Sequence, residues 1–249
     1  MGKIGCGYGS EWHLLRYMGR HREKFDQVII NEVGAGGRIE WLDFHFTGKR
    51  NNPDAELTGL EFLENAGEPS YAGVVKKWKK GFWPQTGTPP NWDAVGWLVT
   101  GDESRELILV EAKAHTGELK SNGCRAKGES KNKIEKALAK TIDYAKARTG
   151  VKDWLGDYYQ YANRLATLYF LHKGKVAARL VLIYFSGDGF PKDADEGPCE
   201  CPQHKDGWKK ALETQDKRLG LVDPHPLTPY IHKVFLPVKA KPRHAASIP

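Results

Sequence analysis

Residues 106–115, ELILVEAKAH, set an apolar run directly against two charged residues. The four apolar residues 107–110 predict a strand buried within a sheet, and Glu111 and Lys113 follow without a break. Side chains alternate along a strand, so Glu111 and Lys113 share one face. Because charged side chains are almost never buried without a partner, the fold must bring a partner to the end of this strand.

The preceding strand supplies a candidate partner. Residues 92–100, WDAVGWLVT, and the apolar run flank the turn signal GDES, which predicts a β-hairpin with Asp93 at its far end. An effective loop of three or five residues would set Asp93 opposite Glu111 or Lys113, on their face. A loop of four would set it opposite Ala112, on the other face, unless a bulge intervenes.

If the register meets this condition, two carboxylates and one ammonium group share one place. Two anions a few ångströms apart are costly unless a cation joins them. Mg²⁺, with Mn²⁺ as a substitute, suits Asp93 and Glu111, because it binds through one or two carboxylates and completes its shell with waters and phosphate oxygens. The metal would polarise a scissile phosphate, and Lys113 would orient the attacking water or stabilise the developing charge. The alternative is a surface salt bridge at a fraying strand end.

Composition agrees with a protein that binds a polyanion. The 249 residues carry a net charge of +7, and the pI is about 9.1. This excess favours a nucleic acid partner, although many basic proteins bind none. No apolar run approaches the roughly 20 residues that span a bilayer, and the N-terminal residues lack a signal-peptide core. Four cysteines without a secretory signal indicate a reducing, cytoplasmic setting.

The order of predicted elements indicates an α/β domain with helices on both faces of a mixed central sheet. We expect one domain over 1–249, with an insertion at about 48–90 that holds two short helices and with a disordered tail at 239–249. The predicted helices span 10–25, 57–66, 71–80, 132–148, 153–172 and 206–220, and the predicted strands span 26–33, 38–46, 92–100, 106–115, 176–187 and 231–238. Residues 116–131 are expected to form a polar, mobile loop.

An Asp on one strand, a hairpin turn, four apolar residues and Glu-Ala-Lys resemble the core of the PD-(D/E)XK, or restriction-endonuclease-like, nuclease superfamily. Asp93, Glu111 and Lys113 fall on its three signature positions. The resemblance covers roughly residues 10–46 and 92–187. It implies an α-β-β-β-α-β core and metal-dependent cleavage of phosphodiester bonds. The family's Pro-Asp is Trp92-Asp93 here, and the 48–90 insertion separates the first strands from the hairpin.

The resemblance implies a further metal ligand. Many members of the superfamily add a glutamate on the first helix, and Glu11 falls on that position. An acidic residue in the first turn of a helix also interacts favourably with the helix dipole and commonly does nothing else. Glu11 is therefore a candidate ligand beside Asp93 and Glu111.

Two further groups are candidates for substrate binding. Gln160 and Arg164 lie on one polar stripe of a predicted helix, where they would face the scissile phosphate or solvent. They do not match the Gln-x-x-x-Tyr motif of RecB-like members. Lys76, Lys77 and Trp78 lie in the segment VVKKWKKGFW, in which lysines would neutralise phosphates and an exposed Trp would stack on a base. The alternative buries Trp78 in the core.

A second metal site is a weaker hypothesis. Cys199, Cys201 and His204 in CECPQH lie close together in the chain, as Zn²⁺ ligands do, but their spacing matches no standard zinc motif. A reduced surface loop is the alternative.

These observations predict a Mg²⁺-dependent deoxyribonuclease, with DNA repair, recombination or restriction as its setting. Asp93, Glu111 and Glu11 would bind metal, Lys113 would act on the water, and DNA would be the partner. The oligomeric state stays open, a homodimer included. One alternative is a nucleic-acid-binding module of the same fold without catalysis, and another is a scaffold whose Glu-x-Lys is accidental.

Overall fold

The computed structural model of the protein describes residues 9–42, 45–49, 52–67, 69–87, 89–188 and 201–238. Its helices are α1 (Ser10–Arg20), α2 (Arg22–Val33), α3 (Pro69–Lys77), α4 (Gly128–Ala145), α5 (Val151–Trp154), α6 (Tyr159–Lys173) and α7 (Asp206–Arg218). Its strands are β1 (Arg38–Trp41), β2 (His45–Lys49), β3 (Asn52–Ala55), β4 (Leu57–Thr58), β5 (Asn91–Trp92), β6 (Ala94–Val99), β7 (Arg105–Lys113), β8 (Ala178–Ser186) and β9 (Ile231–Pro237). Short 3₁₀ turns lie at Glu61–Asn65, Thr116–Leu119 and Thr228–Tyr230, and a π-helical turn lies at Trp78–Phe82.

A mixed five-stranded sheet forms the centre of the fold, with the strand order β1-β6-β7-β8-β9. β1, β6 and β7 form an antiparallel meander, and β7, β8 and β9 run parallel. β7 is therefore the middle strand, with β6 on one side and β8 on the other. This arrangement confirms an α/β fold with a mixed central sheet flanked by helices.

Both faces of β7 are buried, which explains its continuous apolar run. Leu107 and Leu109 belong to a core that includes buried residues of α4 and α6. Ile108 and Val110 belong to a second core that is formed with α1 and α2. A charge near the end of β7 therefore lies between two helical layers rather than on an open sheet face.

The prediction of a strand at residues 26–33 is wrong, because these residues belong to α2. Phe25, Ile29 and Val33 recur every four residues and are all buried, which is the spacing of a helix face rather than of a strand. α2 ends at Gly34, whose φ of 71° is left-handed and suits glycine. The single helix expected over 10–25 is likewise divided into α1 and α2 at His21.

The 48–90 segment packs into the same core as the sheet. The helix expected at 57–66 is instead β4 followed by a 3₁₀ turn, whereas the helix expected at 71–80 agrees with α3 and the π-helical turn after it. β4 pairs with β5, and the Trp92 indole donates a hydrogen bond to the Gly59 carbonyl at 3.0 Å. Trp92 directly precedes Asp93, so this segment helps to position the candidate site.

The strand expected over 38–46 is divided into β1, which pairs with β6, and β2, which pairs with β3 in a separate two-stranded sheet. The remaining predicted strands and the last predicted helix agree with the structure, with shifted ends. The helix expected at 132–148 begins earlier, as α4, and part of the 116–131 loop is a 3₁₀ turn. The helix expected at 153–172 is divided into α5 and α6. The predicted tail at 239–249 lies outside the described residues. Among the described helices, none is long and apolar enough to cross a membrane.

The central position of β7 predicts a large difference between two leucine substitutions. Leu109→Ala removes a fully buried side chain from the middle strand and should lower the free energy of unfolding by about 2–5 kcal/mol. Leu15→Ala, at a side chain that is 46% exposed on α1, should change it by less than about 0.5 kcal/mol. Urea denaturation followed by circular dichroism measures both values, and equal losses would contradict the described packing.

Candidate active site

Asp93, at the far end of the hairpin, lies close to Glu111. Ala94 pairs with Val110 and Val99 with Arg105, so five residues connect the two strands. The paired register ends at Ala94, and Asp93 directly precedes it, close enough to Glu111 for the charge of Glu111 to act on the Asp93 carboxyl. The Asp93 N–H donates to the Val110 carbonyl at 3.1 Å, and its carboxylate Oδ2 accepts the Ala112 N–H at 2.7 Å.

Glu111 is buried and forms ion pairs through both of its oxygens. Only 5% of the residue is exposed. Oε1 accepts a hydrogen bond from Lys113 Nζ. Oε2 lies 2.8 Å from Arg164 Nε and 2.6 Å from Arg164 Nη2. The partners that the buried strand end requires are therefore two cations, one from β7 itself and one from α6.

α6 brings Arg164 to this place and holds it there. Arg164 is 4% exposed, its Nη1 donates to Asn163 Oδ1 at 2.8 Å, and its Cζ lies 4.7 Å from the centre of the Trp92 ring. Such contact between a guanidinium and an indole face is attractive. Arg164 thus connects α6, Glu111 on β7 and the residue that precedes Asp93.

Asp93, Glu111, Lys113 and Arg164 form a cluster of two anions and two cations, which we name the β7 charge cluster. With all four groups ionised, its formal charge is zero. The sequence alone indicated two carboxylates and one ammonium group, which left one negative charge to be balanced. Arg164 supplies that balance.

The two carboxyl groups of the cluster have different proton affinities. Burial, followed by the charge of Glu111, raises the pKa of Asp93 to about 7, against the lowering effects of Lys113, the Ala112 N–H and Arg164. Burial also acts against ionisation of Glu111, but Arg164 and Lys113 outweigh it and hold the pKa of that carboxyl below its usual range. Burial disfavours the charged form of Lys113, yet Glu111 and Asp93 raise the pKa of the ammonium group. Asp93 is thus the member of the cluster that changes its charge near neutral pH.

The carboxylates of Asp93 and Glu111 fit an Mg²⁺ site in which two protein side chains bind the ion. Asp93 and Glu111 provide hard oxygen donors, which Mg²⁺ prefers, and waters or phosphate oxygens would complete the octahedron. A cavity of about 20 Å³, which is room for about one water molecule, is lined by Glu111, Lys113, Gln160 and Arg164 among others. Within the described residues, no group of three or more His, Cys, Asp or Glu side chains is arranged to hold a metal.

The structure does not bring Glu11 into the cluster. Glu11 is exposed in the first turn of α1, and in the described part of the chain no hydrogen bond or ion pair joins it to the cluster. Its role as a metal ligand stays a prediction.

The two predicted substrate-binding residues of α6 differ in position. Gln160 is half-buried and lines the cavity beside Glu111. Arg164 is not part of an exposed polar stripe, because it is buried and paired with Glu111.

The lysine-rich segment is divided between surface and core. Lys76 and Lys77 are exposed on α3, where they are accessible to an anionic partner. Trp78 is fully buried, with its ring centroid 5.7 Å from that of Trp83 and 5.1 Å from that of Phe170. In this position Trp78 is not available to stack on a base, so the structure favours the alternative in which it belongs to the core.

The structure describes only two of the three residues proposed as Zn²⁺ ligands. Cys199 lies outside the described residues, and Cys201 and His204 lie in the segment before α7. Within the described residues, no candidate metal cluster contains Cys201 or His204.

Glu118 and His115 were not predicted as part of the site. Glu118 was expected in a polar loop, but its Oε2 accepts the Ala114 N–H at 2.8 Å and its Oε1 lies 3.1 Å from His115 Nε2. The charge of Glu118 also contributes to the raised pKa of Lys113. The only signal was proximity in the chain, since Glu118 lies five residues after Lys113.

A buried contact between α1 and the end of β8 was also missed. His13 Nε2 lies 3.1 Å from Asp188 Oδ2, and the Gly9 N–H donates to the same oxygen at 2.9 Å. Asp188 follows an apolar strand, as Glu111 ends one, and this position was a usable signal.

The raised pKa of Asp93 predicts a pH dependence of stability in metal-free buffer. Because the folded pKa, about 7, exceeds the unfolded value of about 3.8, this group stabilises the fold at low pH, and its contribution is lost as pH rises through 7. Relative to wild type, Asp93→Asn should therefore gain about 1–3 kcal/mol between about pH 5 and about pH 8. Urea denaturation with EDTA measures this difference. Exposed Asp157→Asn is the control, and a pH-independent difference for Asp93→Asn would contradict the assignment.

Comparisons with known proteins gave no match. No family model matches the chain, and no curated protein and no solved structure is similar to it. The function therefore has to be argued from the geometry and the chemistry of the β7 charge cluster.

Proposed function

We propose that this protein is a metal-dependent nuclease that hydrolyses phosphodiester bonds of DNA and belongs to the PD-(D/E)XK type. The observation that supports the proposal most strongly is the closeness of Asp93 to Glu111 at the buried end of the middle strand. The Asp93 carboxylate accepts the N–H of Ala112, the residue after Glu111, and Lys113 is paired to Glu111. Two acidic residues and a lysine are the groups that the resemblance requires at this place.

The order of elements also supports the proposal. The resemblance implies an α-β-β-β-α-β core. In the protein, α1 and α2 precede the meander of β1, β6 and β7, and α4 and α6 then lead to β8, which pairs parallel to β7. This order is compatible with a restriction-endonuclease-like core in which the 48–90 segment is an insertion.

The members of the cluster would have separate roles in the reaction. A bound Mg²⁺ would polarise the scissile phosphate and increase the acidity of the attacking water. Asp93 and Glu111 would contribute the carboxylate oxygens that hold the ion. Lys113 Nζ, paired with Glu111, would donate to the attacking water or to a phosphate oxygen as negative charge develops there. Glu11 would assist only if the first turn of α1 comes closer to the site.

A positive surface supports a DNA partner. Lys76 and Lys77 are exposed on α3, and Lys120, Lys127 and Lys131 are exposed along the segment that leads from β7 into α4. Such side chains neutralise phosphates and give binding that weakens as salt increases. The net charge of +7 agrees with this role.

The alternative, a nucleic-acid-binding module without catalysis, is favoured by one observation. Lys113 and Arg164 already engage both oxygens of Glu111, and with Asp93 ionised the cluster is neutral without a metal. A charge cluster of this kind has a structural role even if no reaction occurs there.

Plasmid nicking in Mg²⁺ or Mn²⁺ tests the proposal. Wild-type protein should convert supercoiled plasmid to open-circular or linear DNA, and EDTA should stop the conversion. Asp93→Asn and Lys113→Ala should each lower the rate by about 10²-fold or more, because each removes a group that acts in the transition state. Gel-shift binding of DNA should persist in both variants.

Matched controls remove the same chemical groups at exposed positions. Asp157→Asn and Lys140→Ala should nick plasmid at the wild-type rate. If wild-type protein binds DNA but never cuts it with either metal, the binding module replaces the nuclease. If it neither binds nor cuts nucleic acid, the scaffold interpretation replaces both.

A further inference from the structure

The net charge of the β7 charge cluster affects how tightly the site would bind a metal ion. We propose that Arg164 makes metal binding depend on phosphate, so that the site takes up a divalent cation together with a phosphodiester group and only weakly without one. This inference rests on the proposed nuclease function and concerns the regulation of the same site. Arg164 is here a positioning residue that acts through Glu111.

The guanidinium of Arg164 is held in place by contacts other than its ion pair with Glu111. The guanidinium is 4% exposed and donates to Asn163 Oδ1 at 2.8 Å, independently of Glu111. One of its faces lies against the Trp92 ring at 4.7 Å. These contacts remain available when an arriving cation competes for Glu111, so the positive charge stays close to the carboxylate.

A divalent metal ion would add two positive charges to the β7 charge cluster. With Asp93 ionised, the two carboxylates contribute −2 and the ammonium and guanidinium groups contribute +2, so the cluster is neutral. A divalent cation alone would raise it to +2 in a buried place, where charges are poorly screened and an uncompensated charge is costly. A metal that binds without an accompanying anion is therefore opposed by Arg164 and Lys113.

A phosphodiester group reduces this opposition. Its negative charge offsets part of the added charge, and its oxygens fill coordination positions that two carboxylates leave open. Linkage then requires that the metal strengthens phosphate binding by the same factor by which phosphate strengthens metal binding. Metal ions would be held mainly by the enzyme–DNA complex, and free protein would hold few.

Mn²⁺ titrations of the full chain, followed by the electron paramagnetic resonance signal of the free ion, test the inference. They are done without DNA and with a short duplex that carries phosphorothioate linkages, and a titration of the duplex alone is subtracted. Wild-type protein should bind Mn²⁺ at least about tenfold more tightly with the duplex. In the reciprocal experiment, Mn²⁺ should strengthen duplex binding by the same factor.

Two substitutions at Arg164 separate its charge from its packing. Arg164→Met removes the charge and keeps an apolar stem against Trp92, so Mn²⁺ should bind about tenfold more tightly than to wild type in the absence of DNA. Arg164→Lys keeps the charge and should bind Mn²⁺ as weakly as wild type. A merely structural role would lower metal affinity in both variants rather than raise it in one. If Arg164→Met does not fold, Lys113→Met subtracts the same charge and should give the same gain.

The outcomes separate this inference from the proposed function. The inference is overturned if wild type binds Mn²⁺ equally with and without the duplex, or if the charge-removing variant binds no more tightly than Arg164→Lys. The nuclease proposal fails instead if wild type and Asp93→Asn bind Mn²⁺ identically in both conditions, since no metal then reaches the cluster.

Discussion

The buried carboxylate of Glu111 is the interaction on which the rest of the site depends. Glu111 lies at the end of the middle strand with both oxygens paired, one to Lys113 and one to Arg164. Removal of either cation would leave buried charge without compensation, at a cost of about 3–5 kcal/mol in comparable cases. The apolar strand can carry two charges because α6 brings a third charged group to it, and the contact joins elements that are distant in the chain.

The same arrangement determines what chemistry the site can perform. Because helices cover both faces of β7, the cluster is shielded from water, and its charges interact strongly. Asp93, with a pKa of about 7, responds to neutral pH, whereas Glu111 stays ionised. With Asp93 ionised the cluster is neutral, so it has less need of a metal than two isolated carboxylates would. A nuclease built on it would combine metal and substrate in one binding event.

The sequence predicted the local features and failed where distant elements meet. The hairpin and the shared face of Glu111 and Lys113 follow from alternation and turn chemistry, which neighbouring residues determine. The length of the connection was left open among three, four and five residues, and the structure has five. The strand predicted at 26–33 failed because β-branched and apolar residues also fit a helix face when every fourth one is buried. The pairing of Arg164 with Glu111, 53 positions apart, depends on how α6 lies on the sheet. No local sequence pattern determines how α6 packs on the sheet. The burial of Trp78 was left open for the same reason, since it also depends on packing between distant elements.

The most direct measurement of the central claim is a crystal structure of the protein with DNA and Mn²⁺, with the metal located by its anomalous scattering. The account predicts a peak within direct coordination distance of carboxylate oxygens from both Asp93 and Glu111, with a phosphate oxygen in the same coordination shell. An intact pairing of Glu111 with Lys113 and Arg164 in the DNA complex, with no anomalous peak between the two carboxylates, would contradict it.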